Sequence, residues 1–147
     1  MARQRHGSSD ALVDELFDTT VVLRSFAESR LRPIGATVAR LRALRMLARE
    51  GVPVRMRDLS EMLGIAARTT TTIVDSLEAD GLVERVRHVD DRRAFLLTLT
   101  DAGRAHCEQA EAMDAQALAE ATGTLSTEER AQLRALLGKV REAVEQA

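Results

Sequence analysis

A mainly α-helical chain carrying one small β-hairpin (α+β) is the fold class this sequence predicts, on three observations. Apolar residues recur at helical spacing in six separate stretches of the chain. Two β-prone runs, 82–87 and 94–99, are separated by the charged segment His88-Val89-Asp90-Asp91-Arg92-Arg93. Two short helices joined by a glycine turn come directly before that hairpin. Helix, turn, helix and charged hairpin, in that order, is the organisation of a winged helix-turn-helix. The long helices at either end are left over for dimerisation.

The elements follow in order. Residues 1–9 read as a polar arm. From Asp10, the apolar residues Leu12, Val13, Leu16, Phe17, Val21, Leu23 and Phe26 define a first helix, with Ser8, Ser9 or Asp10 as its cap and Pro33 as its limit. A second helix spans about 37–50, with Val38, Leu41, Leu44, Leu47 and Ala48 on one side and Arg40, Arg42, Arg45 and Arg49 on the other; Gly51 closes it. A short extended piece, Val52-Pro53-Val54, leads to a compact helix over 58–65 stopped by glycine, then to a helix over 66–80 closed by Gly81. After the hairpin come helices over about 101–121, capped by Thr100, and 127–146, where Ser126 and Glu129 have capping-box spacing. The expected division is 1–36 for the arm and first dimerisation helix, 37–100 for the winged lobe, and 101–147 for the C-terminal dimerisation helices.

Composition narrows the class. With 147 residues, 45% hydrophobic and 30% charged, the chain can bury a sizeable core without a metal or disulfide staple. Its longest apolar runs, such as Val21-Val22-Leu23, fall far short of the ~20 residues that span a bilayer, and no apolar signal segment is apparent. A cytoplasmic protein with no membrane partner is expected, in keeping with the single Cys107. The net charge of −2 hides segregation: 40–100 carries 11 basic and 9 acidic residues, whereas 101–147 carries 5 and 9. A mildly basic centre with an acidic flank hints at an anion-binding middle.

The second helix of the pair carries the chemistry. Ser60, Gly64 and Thr70 have the spacing of a contact serine, a turn glycine and the recognition-helix residue packed against them. Ahead of the apolar face stand Arg68, Thr69, Thr70, Thr71 and Thr72. Arginine pairs bidentately with guanine, and threonine offers a hydroxyl to phosphate or a methyl to thymine. Four consecutive β-branched residues are poor helix formers, so helix stability alone would not select them. These five residues are expected at DNA. The hairpin adds Arg87, Asp91, Arg92 and Arg93. A narrow minor groove attracts arginine, and Asp91, two residues before Arg93, is placed to orient it by a charge-assisted hydrogen bond.

At this point the chain resembles the MarR family. Asp91-x-Arg93 followed by Leu99-Thr100 and Gly103 is similar to the family's D-x-R-x-x-x-x-x-L-T-x-x-G signature, and the run from Leu77 to Arg85 resembles its passage from recognition helix into wing. The resemblance implies an obligate homodimer whose first and last helices interleave and whose two winged lobes grip a pseudo-palindromic operator. For many members it also implies release by a small aromatic acid or by thiol oxidation. Carried over by motif, Arg93 enters the minor groove, Asp91 holds it and Arg85 sits near phosphate. The dimer has a physical side as well. Leu12, Leu16, Leu23 and Phe26, with Leu133, Leu136, Leu137, Val140 and Val144, form apolar stripes that a single lobe does not cover.

Other readings are thinner. His6, His88 and His106 show no metal-ligand or nucleophile–base spacing and no glycine-rich phosphate loop is present, so no enzyme, metal site or cofactor is expected. Cys107, with Arg104 nearby in the same helix, is the one candidate for a thiol-responsive regulator, although its simplest role is a small core residue. A pocket for a small aromatic or acidic effector is expected between the dimer helices and the lobe, around Phe17, Val21, Arg24, Leu44, Leu47 and His106. The expected function is a sequence-specific transcriptional regulator, a repressor that often controls its own gene. An architectural winged-helix protein with no effector is the alternative.

Overall fold

The computed structural model describes residues 10–91 and 93–147; the expected arm at 1–9 and Arg92, expected at DNA, lie outside them. The element order is α1 (Ala11–Leu31), a 3-10 turn (Arg32–Ile34), α2 (Val38–Glu50), β1 (Val54–Arg55), α3 (Met56–Leu63), α4 (Ala67–Ala79), β2 (Val83–Arg87), β3 (Phe95–Leu99), α5 (Asp101–Ala121) and α6 (Thr127–Glu145). The fold is mostly helical with a small antiparallel sheet, ordered β1-β3-β2.

Local chemistry sets most boundaries. Asp10 accepts from the Leu12 amide to open α1, and Thr37 accepts from Arg40 to open α2. Ser126 and Glu129 close a reciprocal capping box at α6. Gly51 and Gly64 end α2 and α3 with φ of 63° and 65°, the left-handed conformation that glycine adopts without a Cβ clash.

Two elements depart from the sequence reading. Helix α3 starts at Met56, two residues earlier than expected, because Met56 packs against the buried cluster. The extended piece before it is a true strand: Val54 pairs with Leu97 and Arg55 with Leu96, and Val54 is buried. A two-residue strand has no periodicity to read.

The core gathers Leu41, Leu44, Leu59, Val74, Leu77, Val83 and Leu97 from α2, α3, α4 and the sheet. It also takes Leu31 from α1 and Cys107 and Ala110 from α5, so the lobe's packing crosses both expected domain boundaries. Ion pairs brace the same junction. Arg45 on α2 reaches Glu111 at 2.8 Å and Asp114 at 3.2 Å on α5; within the lobe, Arg40 reaches Asp80 at the end of α4, at 2.5 Å. Two of the four arginines on the outer face of α2 are therefore struts.

The terminal helices are different. Helix α1 buries only Ala27 and Leu31, and α6 buries nothing. Leu12, Leu16, Leu133, Leu136, Leu137, Val140 and Val144 are exposed, and Leu23 and Phe26 are half-buried. Among the described residues, no helix is long and apolar enough to cross a membrane.

Candidate nucleic-acid interface

Helix α4 lies across α3 with its apolar face, Val74 and Leu77, in the core. That orientation leaves Arg68, Thr69, Thr71 and Thr72 exposed on the opposite side. Thr70 is the exception. It is completely buried, and its hydroxyl donates to the Ala66 carbonyl at 3.3 Å, so it packs against the lobe and cannot reach DNA. Its neighbour across the turn, Ser60, is also buried and donates to the Met56 carbonyl.

The exposed threonines are constrained too. Thr71 donates to Ala67 O at 3.0 Å and Thr72 to Arg68 O at 3.1 Å, the i−4 bond open to helical threonine. With the hydroxyl proton used, neither can donate to a phosphate in this rotamer. Each can accept from an exocyclic amine or present its methyl to thymine. Arg68 makes no ion pair among the described residues, so its guanidinium is free for a bidentate contact.

The wing is held differently from the sequence expectation at two points. Asp91 does not pair with the Arg93 guanidinium. Its Oδ1 accepts from the Arg93 backbone amide at 3.0 Å, while Ala94 N donates to Asp91 O and His88 N donates to Ala94 O. The carboxylate thus shapes the turn that presents Arg93, and the Arg93 side chain projects exposed. Arg85, expected at phosphate, is instead committed to α4: it reaches Asp75 at 2.5 Å and Glu78 at 2.9 Å. The Asp75 hydrogen bond, against a smaller opposing effect of burial, raises the Arg85 pKa above its ordinary value. Its charge is matched twice over, so it ties the wing to the recognition helix. Arg87 is exposed at the end of β2.

The expected effector residues differ in burial. Leu44 and Leu47 are buried in the lobe core and leave no surface for a ligand. Phe17, Val21 and Arg24 are exposed on α1, and His106 is half-buried with its Nε2 lacking a hydrogen-bond partner. Helical periodicity marks Leu44 and Leu47 as apolar but does not say what covers them. Cys107 is buried, and its thiol is pushed up chiefly by burial and then by Glu111. That is opposite to the lowered pKa of a sensing thiol, so the thiol-responsive reading is set aside.

Two arginines escaped the sequence reading. Arg55 and Arg57 flank the half-buried Met56 where β1 enters α3, and both are exposed. The available signal was the alternation Arg-Met-Arg across a core residue.

Helix-turn-helix with a charged three-stranded wing is the class this geometry defines. Residues 34–94 match the model of the MarR family. The chain is 33% identical over 111 residues to the multiple antibiotic resistance protein MarR of Escherichia coli, spanning 75% of this chain and 76% of that protein. It is 28% identical over 125 residues to the transcriptional repressor Rv2887 of Mycobacterium tuberculosis, spanning 85% of this chain and 89% of that one. The crystal structure of a mutant E. coli MarR complexed with operator DNA superposes with a TM-score of 0.73 at 28% identity, covering 90% of this chain and 99% of that one. The chain belongs to the MarR family of transcriptional regulators.

Proposed function

We propose that this chain is a cytoplasmic, homodimeric repressor that reads a pseudo-palindromic operator and is released by a small aromatic or acidic effector. The observation that carries the reading is the exposed face of α4. Arg68, Thr69, Thr71 and Thr72 stand together on the side turned away from the core, and the wing turn shaped by Asp91 presents an exposed Arg93. Guanidinium and methyl groups on a helix sized for the major groove suit base readout, and an arginine on a narrow tip suits the minor groove. The E. coli relative of the same fold is known in complex with operator DNA, which supports DNA as the partner. Remaining candidates for effector contact are Phe17, Val21, Arg24 and His106.

Fluorescence-anisotropy titration of the purified protein tests the reading, using DNA upstream of its own gene beside a random duplex of equal length. Preference for the upstream DNA by ~10³-fold or more at physiological salt is expected of a specific regulator. Arg68→Ala is expected to erode that preference, costing about 1–3 kcal/mol per base contact on operator and much less on random DNA. Equal binding of both duplexes by the wild-type protein would mark an architectural DNA-binding protein instead.

A further inference from the structure

A hollow of about 580 Å³ opens between the wing and the start of α3, walled by Arg55, Arg57, Arg85 and Arg93 over an apolar floor that includes Phe95. None of its lining residues is acidic. Arg85 is already neutralised by Asp75 and Glu78. The other three are not. Among the described residues Arg57 has only Glu61, at 4.0 Å on an exposed surface, and such a pair holds little. Among the described residues, Arg55 meets only the Nε2 of His88, at 3.3 Å, and Arg93 makes no ion pair. Three uncompensated guanidiniums converging on one concavity repel each other unless an anion enters.

The position selects the anion. Arg57 also lines a second hollow, of about 530 Å³, that runs past Glu61 and Gly64 to Ala67, the first residue of α4. It therefore stands between the wing and the recognition helix. If α4 occupies a major groove and the wing tip the adjacent minor groove, the strand dividing the two grooves must pass between them. We infer that Arg55 and Arg57, beside the groove-directed Arg93, clasp backbone phosphates of that dividing strand. They contribute affinity without sequence preference. This inference rests on the DNA-binding reading above and extends its footprint to β1 and α3.

The test is the salt dependence of binding for Arg55→Gln, Arg57→Gln and the double variant, with Arg57→Lys as a charge-preserving rescue and Arg104→Gln as a control on α5. Each Gln substitution removes one contact per lobe and two per dimer, so the slope of log K against log salt should fall by about 1.8. Between 50 and 200 mM salt, a single variant should then lose about 12-fold less affinity than wild type loses. Operator and random duplex should weaken by the same factor, roughly 10- to 30-fold near physiological salt. Arg57→Lys should restore the slope and Arg104→Gln leave it unchanged. Unaltered slopes in the double variant, or loss of operator preference instead of uniform weakening, would overturn the inference while leaving the wild-type protein a DNA binder. Unaltered DNA binding with loss of inorganic phosphate binding would assign the hollow to a small anion instead. Absence of salt-dependent binding by the wild-type protein would defeat the underlying reading itself.

Discussion

Gly103 shows how a signature residue can be a packing requirement. Thr100 donates its hydroxyl to Gly81 O at 2.7 Å and accepts from the Gly103 amide at 2.9 Å, pinning the start of α5 to the turn that enters β2. A Cβ on Gly103 would lie 2.0 Å from the Leu82 carbonyl oxygen, a backbone atom with no rotamer escape. Gly103→Ala gains roughly 0.5–1 kcal/mol in helix propensity, but the overpacking should outweigh it. A net loss of about 2–3 kcal/mol is expected. At fixed protomer concentration this should appear as a Tm lower by roughly 5–10 °C. An unchanged Tm would mean that the α5–Leu82 contact is loose. Cys107 carries a second residue-scale prediction, with the sign set by its raised thiol pKa. The folded protein keeps the proton after the unfolded chain has lost it, so stability is intact below about pH 8.5 and falls as pH rises beyond it. The added slope is at most about 1.4 kcal/mol per pH unit, and Cys107→Ala should abolish it in urea titrations run from pH 7 to 10. Native alkylation by iodoacetamide should be slow at pH 8 and become fast only in denaturant.

At the scale of elements, the link between wing and recognition helix is the Arg85 pair with Asp75 and Glu78. Ion pairs of this exposure add little to stability, about 0–1 kcal/mol each. Their expected effect is on the angle between the two DNA-reading elements. Asp75→Asn with Glu78→Gln should leave Tm nearly unchanged and reduce the operator-to-random affinity ratio by roughly tenfold, a loss of ~1.4 kcal/mol. Arg85→Met should do the same without lowering the salt slope, whereas a phosphate-bound Arg85 would lower it by about 1.8 for the dimer. Competition between the two roles is decided by that slope. What could be read from sequence divides along the same line. Caps and stops are local, so Asp10, Gly51, Gly64, Thr100 and the Ser126–Glu129 box were legible at their positions. Partners distant in sequence were not. Nothing near Arg85 announces Asp75 and Glu78, and nothing near Val54 announces Leu97. The spacing of Asp91 and Arg93 fits a carboxylate bound to a backbone amide as well as one bound to a guanidinium, and the structure takes the first. Thr70 was legible as the packing residue and still could not be separated from its exposed neighbours without the core that covers it.

At the scale of the molecule, uncovered apolar surface is the dominant feature. Helix α6 runs for 19 residues and buries none of them within its own chain, while Leu133, Leu136, Leu137, Val140 and Val144 form one seam along it. Exposed apolar residues on α1, Leu12, Val13, Leu16, Phe17, Val21 and Val22, extend the same problem to the other terminus. A seam of this kind is stable in water only when covered, and a second copy supplies identical seams related by a two-fold axis. The same axis spaces two recognition helices for successive major grooves, ~34–36 Å apart. Leu136→Glu with Val140→Glu should therefore give a monomer where the parent is expected to sediment as a dimer, since burying two carboxylates against their symmetry mates is strongly unfavourable. A monomer offers one lobe to DNA, so its salt slope on operator should be about half that of the parent. Operator affinity should drop by at least ~10²-fold, because the second lobe no longer binds at the high effective concentration the dimer provides. Binding to a single half-site should survive at a level close to that of one parent lobe, which separates lost dimerisation from lost folding. A double variant that still sediments as a dimer would place the subunit contact elsewhere than α6. A monomer that binds the full operator as tightly as the parent would show that one lobe suffices, and the two-fold reading of the operator would fall with it.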